Sequence, residues 1–536
     1  MFLPFVPAVA IVATWVVWTA DRGGYFPITR YPGALLAAAL LLTIAIARPP
    51  GALVRSPALL PFGLLAGWTA WNGLSVAWTG APDIGWESTN ELLAVTVMAA
   101  VMLSTPWRPR GVIALLALWA GAIAVIAVVD LVSFGLDSHP SQWLLYSRYT
   151  GPLGYANGTA AIGAMAFWPL LAVAAGPRFP ALIRVIALPA GVAVLAWALL
   201  PQSRGTMLGA LVALPLFVAL SSNRVRVLTR LLVTAGALAL AAPALFDVYT
   251  VSYNGKPIDD VVATAVTRSA IAVAVALVAS IVLVLVERRV QPSPAAQQRT
   301  RRIGIAALAL AVVVAAGVAV AAHSRIGDEL SERWDTFRSD ASVENTQTGA
   351  RIGQVTADQR YDYWKVAYAA FRDQPVVGIG AGGFEDRYTA NKRYTKHSRY
   401  THDLWLRALS ETGIVGLALL VGSLIAAFAA LVRARLRGSP DLHPAIAAGA
   451  ALGAAFFVQA GLDWLEEVPA LLAPAVCLPL AVLRAAAPTD AAPLRVARPA
   501  AAALAVIALV VMVPPYLSVR YVERGDDLRA SDPQAA

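Results

Sequence analysis

The sequence predicts an all-α, polytopic membrane helix bundle, and three observations carry that prediction. Of the 536 residues 58% are hydrophobic and only 14% charged, too little charge to cover a water-facing surface of this size. Apolar runs of about 17–22 residues recur between short polar loops, the length a helix needs to cross a bilayer. Arginines fall in alternate loops, as the positive-inside rule requires of a multi-pass chain. The lone Cys477 excludes an intrachain disulfide and a cysteine-based metal site. The net charge of +10 is explained by basic cytoplasmic loops, so it does not argue for nucleic acid as a partner.

The apolar runs place about fifteen spans, at 3–20, 32–48, 58–78, 89–105, 111–133, 155–175, 183–200, 205–221, 229–246, 266–286, 303–322, 412–432, 444–461, 468–485 and 499–516. The first begins almost at Met1, with no basic n-region and no small-residue cleavage site, and reads as a retained helix. Most spans are rich in Ala, Gly and Ser, which favours close helix packing. With the N-terminus inside, the cytoplasmic loops hold Arg48 and Arg55, Arg108 and Arg110, Arg178 and Arg184, and Arg224, Arg226 and Arg230. The series continues with the Arg288–Arg302 cluster and with Arg433, Arg435 and Arg437. The opposite loops are poor in arginine and include acidic stretches at Pro82–Glu91 and Asp463–Glu467; Arg22 and Arg30 are the main exceptions. The layout divides the chain into N-terminal membrane helices (1–322), an extracytoplasmic loop (323–411), C-terminal membrane helices (412–516) and a polar tail (517–536).

The loop 323–411 is the one long segment the membrane does not explain. Its second half, with residues 351–416, holds two of the five histidines and three of the four lysines. Asp328–Phe337 suits a short amphipathic helix. Thr356-Ala-Asp-Gln359 has capping-box spacing and predicts a helix start, and that helix must end by Gln374, ahead of Pro375. Within it Tyr361, Trp364, Tyr368 and Phe371 form one aromatic stripe, which fits packing onto the membrane domain or the headgroup layer, or sugar stacking. Gly378–Phe384 is glycine-rich, yet it lacks the strand–helix context and the Lys-Ser/Thr of a phosphate cradle. A tight turn that brings backbone against the membrane domain is the better reading.

A short helix over 402–410 is expected next, with Asp403 and Arg407 paired at i, i+4. His402 sits at the outer membrane boundary among Arg387, Arg393, Lys396 and Arg399. Positive neighbours depress an imidazole pKa and keep it neutral, as a general base must be. Glu411, nine residues on, falls on the opposite side of a continuous helix. A basic, aromatic outer surface of this kind needs an anionic partner, and a diphosphate at the membrane surface fits the planar fork of arginine. Arg204, in the break Pro201-Gln-Ser-Arg-Gly205 between two spans, is the sharpest candidate, because ionisable groups at such breaks mark substrate paths.

Several pieces together resemble the O-antigen ligase/polymerase superfamily of bacterial membrane glycosyltransferases. They are Gln202-Ser-Arg204-Gly-Thr, Arg360-Tyr-x-x-Trp364 followed by Pro375-x-x-Gly378-x-Gly380, and His402-Asp403-x-x-Leu406 with Glu411-x-Gly413; Pro152–Asn157 resembles the family's glycine-asparagine turn. The motifs cover about residues 145–435. The resemblance implies a fold of the GT-C type and transfer of a glycan from an undecaprenyl-diphosphate carrier to an acceptor hydroxyl on a glycan or glycolipid. It implies this chemistry at the outer face of the cytoplasmic (inner) membrane, among membrane lipids, with inversion and with no nucleotide sugar, cofactor or essential metal. Carried over residue by residue, Arg204 and His402 are the catalytic candidates. Arg148, Arg360, Arg399, Tyr361 and Trp364 are the substrate-binding candidates. Asp403 departs from the pattern, since Asn or Ser commonly follows the histidine. A transporter or lipid-carrier translocase is the competing reading, against which stands the lack of any visible inverted repeat.

Overall fold

The computed structural model describes residues 3–47, 55–289, 360–393, 397–488 and 497–531. Among them it forms sixteen α-helices and a single two-stranded β-ribbon. In chain order these are α1 (Val6–Ala20), α2 (Pro27–Ala47), α3 (Leu59–Ser75), α4 (Pro82–Ser104), α5 (Pro109–Leu136), the ribbon β1 (Leu144–Leu145) with β2 (Arg148–Tyr149), α6 (Ala156–Ala175), α7 (Ala181–Leu199), α8 (Arg204–Leu220), α9 (Arg224–Tyr253) and α10 (Asp259–Arg289). Then follow α11 (Arg360–Asp373), α12 (Phe384–Asn391), α13 (Leu404–Arg437), α14 (His443–Ala460), α15 (Pro469–Ala485) and α16 (Ala497–Ser531). Nine of the described helices are long and apolar enough to cross a membrane, and α1, α8 and α15 are shorter apolar helices. The chain is an all-α, multi-pass membrane protein.

Fourteen of the expected spans coincide with described helices. The fifteenth, 303–322, lies outside the described residues, as do the expected Asp328–Phe337 helix and the Thr356 capping box. Small residues do what their abundance suggests. Every residue of α6 is buried, and a Cβ on Gly163 would lie 2.7 Å from the Val194 carbonyl of α7. Likewise a Cβ on Gly209 would collide with the Ala455 carbonyl, so α8 and α14 touch through backbone.

The loops sort to two ends. At one end Arg22 N donates to Pro152 O, the Tyr25 and Tyr400 hydroxyls are 3.0 Å apart, Tyr155 donates to Asp463, and the 378–382 turn packs on Thr79 and Gly85. These are the loops expected outside. At the other end Arg178 pairs with Asp441 and Ser222 Oγ meets His443 Nδ1. Two outer stretches differ from expectation. Pro82–Glu91 is the first turns of α4 rather than a loop, and the Asp463–Glu467 carboxylates are buried. Arg30, an exception to the charge rule, is 1% exposed and paired with Glu87 and Glu91, so it is an internal ion-pair partner and not a loop charge.

Candidate functional site

Three interhelical breaks and the 360–413 segment meet at the first of these ends. The break before α8 is shaped by Gln202, whose left-handed backbone (φ 50°) lets the chain reverse between α7 and α8, and by Ser203, which caps Thr206 N at 3.4 Å. Arg204 is therefore the first residue of α8 and half-buried. Its neighbours are held to α14: Thr206 donates to Gln459 Oε1 at 2.8 Å, and Gln459 Nε2 donates to Asn157 O at 3.1 Å.

Arg148 leaves β2 and reaches the same break. Its Nε and Nη2 donate to the Pro201 carbonyl at 3.1 and 2.9 Å, and Nη2 also donates to Asn157 Oδ1 at 2.6 Å. Asn157 in turn donates to Asp463, and Tyr155 donates to the same carboxylate at 2.6 Å. Arg360, at the start of α11, stands 3.8 Å from Asp463. So Arg148 and Arg360 belong to one polar chain that runs from the 201–203 break through Asp463 to the 360–413 segment.

An aromatic stack continues it. Trp464 packs on Tyr155 (4.5 Å between centroids) and lies parallel to Tyr400 (5.2 Å, 13°). Burial holds the Tyr400 hydroxyl above the ordinary tyrosine range. Two residues on, His402 has a left-handed backbone (φ 55°). Its ring lies 5.1 Å from that of Tyr363, and Nδ1 is 3.1 Å from the Tyr400 carbonyl. A carbonyl can only accept, so Nδ1 carries the proton, and the neutral form of this ring has its lone pair on Nε2. That is the tautomer a base needs.

The 360–413 segment is anchored rather than loose. Gly378, Gly380 and Gly382 all have positive φ, and a Cβ at each would collide with Glu411, Thr79 and Gly85 respectively. Their turn makes backbone bonds Ile379 N to Ser410 O and Gly380 N to Glu411 O, both 2.9 Å, while Ala381 N donates to Ser75 Oγ at 2.9 Å. The tight-turn reading of the glycines is thus the one observed. The aromatic stripe is turned from expectation: α11 buries Tyr363, Val366, Ala367 and Ala370, leaving Tyr361 and Trp364 half-buried and Tyr368 exposed. Trp364 flanks a small core of Tyr363, Phe384 and Tyr388.

The expected Asp403–Arg407 pair is replaced. Asp403 caps α13, its Oδ1 accepting from Trp405 N and Leu406 N at 2.9 and 3.0 Å. Burial nevertheless pushes its pKa up to about 6. Arg407 turns instead to Glu411 (3.2 Å), to Glu467 and to Ser88 (3.0 Å). Glu466 is 3.8 Å from the same guanidinium and accepts no hydrogen bond among the described residues; burial lifts its carboxyl to about 8. Gly413, at φ 66°, breaks α13 after Glu411, so the expected short helix and the following span are one element with a kink. Arg399 is held by Glu87, which it shares with Arg30, and lies 3.8 Å from Glu385.

Sequence reasoning missed Asp463, Gln459, Trp464 and Tyr400. Each lies in or beside an apolar span as an isolated polar or aromatic residue, and only the acidic run Asp463–Glu467 gave a signal.

Residues 260–421 match the family model described as O-antigen ligase. The resemblance to the O-antigen ligase superfamily stands on this segment. It contains α11, α12, His402, Arg407 and the Gly378–Gly382 turn; Arg148, Arg204 and Asp463 lie beyond the match. No curated protein matches the chain. The match supports a function of the O-antigen ligase/polymerase type in general terms. No group of three or more His, Cys, Asp or Glu side chains that would suit a metal occurs among the described residues.

Proposed function

We propose that this protein transfers a glycan from an undecaprenyl-diphosphate carrier to an acceptor hydroxyl at the outer face of the cytoplasmic membrane. The observation that carries the reading is His402, fixed through Nδ1 to the Tyr400 carbonyl inside the segment that matches the O-antigen ligase family. Cleaving a sugar–diphosphate bond requires stabilisation of the charge growing on the leaving phosphate. Guanidinium groups suit that task because they stay charged and engage two oxygens at once. Arg204, at the N-terminus of α8, also has the positive end of the helix dipole behind it. A sugar hydroxyl is a weak nucleophile, and His402 Nε2 accepts its proton as it attacks the anomeric carbon; the C–O bond to the diphosphate breaks as the new bond forms, inverting that carbon. Arg148 and Arg360 hold the 201–203 break, Asn157 and Asp463 in register, and Trp464 with Tyr400 offers an aromatic wall to a sugar.

The test uses the purified protein in lipid vesicles with a lipid-diphosphate-linked glycan donor. His402→Ala is expected to lower transfer by about 10²–10⁴-fold with donor binding and abundance retained. His397→Ala is the control: that side chain sits in the same basic loop but hydrogen-bonds Glu385 at 2.6 Å and is half-exposed. Equal loss in both variants would assign the effect to loop structure and remove the base. Glycolipids extracted from a deletion strain then separate the two reactions, since shortened polymer means a polymerase and full-length chains left on the carrier mean a ligase.

A further inference from the structure

The opposite end of the bundle carries a second feature that glycan transfer does not use. A cavity of about 940 Å³ opens there between the starts of α5, α7, α9 and α14 and the ends of α6 and α8. Its buried walls are apolar, with Ile113, Val173, Phe217 and Val227 among them, whereas Arg110 and Arg178 line it from exposed positions. The volume lies at the upper end of ordinary small-molecule pockets, with apolar buried walls and a polar rim that includes Ser222, Asn223 and Asp441. Arg178 is paired with Asp441 at 3.2 Å; Arg110 is exposed at the rim.

A cationic cluster stands one helix position along α7 and α9 from residues that line this cavity. Ile183 and Val227 line it, and their chain neighbours Arg184 and Arg226 converge with Arg230 on Glu287 of α10. Three guanidiniums thus share a single carboxylate. Arg184 and Arg230 are 6% and 2% exposed. Arg184 Nε and Arg226 Nη1 are buried and have no hydrogen-bond partner among the described residues. Buried charge of one sign is costly unless an opposite charge joins it, and unused guanidinium N–H groups suit phosphate oxygens.

We infer that this end of the bundle binds an anionic phospholipid, with an acyl chain in the apolar cavity and the phosphate against the Arg184–Arg226–Arg230 cluster. The site is distinct from the candidate active site. Residues Asn157 and Arg204 begin α6 and α8, whereas the cavity lies where those helices end, about 25–30 Å away for helices of 20 and 17 residues. A phospholipid is favoured over a free anion because greasy cavity and cationic cluster adjoin, and basic pockets between helices on the arginine-rich side face the anionic leaflet.

Native mass spectrometry of the full chain, titrated with phosphatidylglycerol or phosphatidylcholine, tests the inference. Phosphatidylglycerol is expected to bind at least about tenfold more tightly. Arg226→Gln, at a partly exposed side chain, and Ala114→Trp, which fills the cavity from its open side, should each remove most of that preference. Arg110→Gln serves if either variant fails to fold, and should weaken phosphatidylglycerol binding alone. Arg204→Lys, at the other end, should leave lipid binding unchanged while impairing transfer, so the two proposals fail separately. Equal affinity for both lipids, or a preference that survives the cluster and cavity variants, would overturn the inference. So would full displacement of phosphatidylglycerol by millimolar inorganic phosphate, which would show that the cavity contributes nothing.

Discussion

The two ends of this bundle both carry many arginines, yet they neutralise them by different means. At the end that holds His402, four arginines pair with carboxylates: Arg30 with Glu87 and Glu91, Arg399 with Glu87, Arg360 with Asp463, Arg407 with Glu411 and Glu467. At the opposite end arginines outnumber acids: Arg184, Arg226 and Arg230 share the one carboxylate of Glu287, and others turn to backbone carbonyls at helix C-termini. Arg498 donates to Ala45 O of α2, Arg484 to Leu103 O of α4, Arg224 to Val218 O and Ala219 O of α8, and Arg435 to Leu220 O. Those carbonyls are the unsatisfied, negative ends of helix dipoles. The first end is therefore neutralised mainly by specific pairs and the second largely by geometry that any cation could exploit. The difference predicts where substitution is costly.

The largest contrast should appear when one arginine is removed from each end. Arg407→Met leaves Glu411, Glu466 and Glu467 buried without their common cation, and breaking such a network costs about 3–5 kcal/mol. Arg435→Met loses one bond to a helix-end carbonyl, a 3.4 Å contact with His443 Nε2 and a favourable dipole interaction, about 1 kcal/mol in all. Unfolding midpoints in matched detergent measure both. Similar losses would mean that the pairing at the His402 end is no more specific than capping.

A smaller contrast is expected from exchanging arginine for lysine. Arg204→Lys keeps the charge but loses the planar fork, and transfer should fall by about 10²-fold, as when one transition-state donor is lost. Arg435→Lys keeps what a dipole needs and should leave transfer near normal. Initial rates at equal membrane abundance read the difference, and near-normal transfer by the Arg204→Lys variant would reduce Arg204 to a residue of the membrane boundary.

The sequence made one half of this comparison legible. Helix number and the sorting of loops follow from apolar length and arginine alternation, because both are local and cumulative properties of the chain. The glycine turn at 378–382 was readable for the same reason, since three closely spaced glycines announce backbone contact whatever they touch. The pairing at the His402 end was not readable. Arg30 reads as an exception to the charge rule because its partners stand in the acidic stretch Pro82–Glu91, which reads as a loop, whereas Glu87 and Glu91 occupy the first turns of α4. The i, i+4 spacing pairs Arg407 with Asp403, but Asp403 is occupied in capping α13, and three carboxylates arrive from the distant 463–467 turn and from Glu411. Asp463 and Gln459, which tie the α6 and α8 starts together, had no motif to announce them. Long-range polar contacts between membrane helices leave no periodic trace.

The smallest expected effect sharpens the comparison through pH. Glu466 is buried in the 465–467 turn, and its folded-state pKa of about 8 lies above the ordinary carboxyl value of 4.5. The unfolded chain releases this proton near 4.5, whereas the folded chain keeps it until about 8. Between those values the folded state holds the extra proton, so stability is full below the lower value and declines as pH rises through the window, levelling off above about 8. Asp403, raised to about 6 by burial, adds a slope of the same sign over the lower part of the range. The opposing pull of Arg407, and water drawn in by an ionised Glu466, keep the total decline modest. Unfolding midpoints measured from about pH 5 to 9 should therefore fall with pH in the wild-type chain. Glu466→Gln keeps a neutral side chain of the same shape and should flatten the upper part of that fall, leaving the Asp403 slope below about pH 6. Arg435→Met, at the other end, should leave the slope intact. A wild-type midpoint that does not fall between about pH 6 and 8 would mean that Glu466 is ionised in the folded protein and that Arg407 balances three charged carboxylates rather than two.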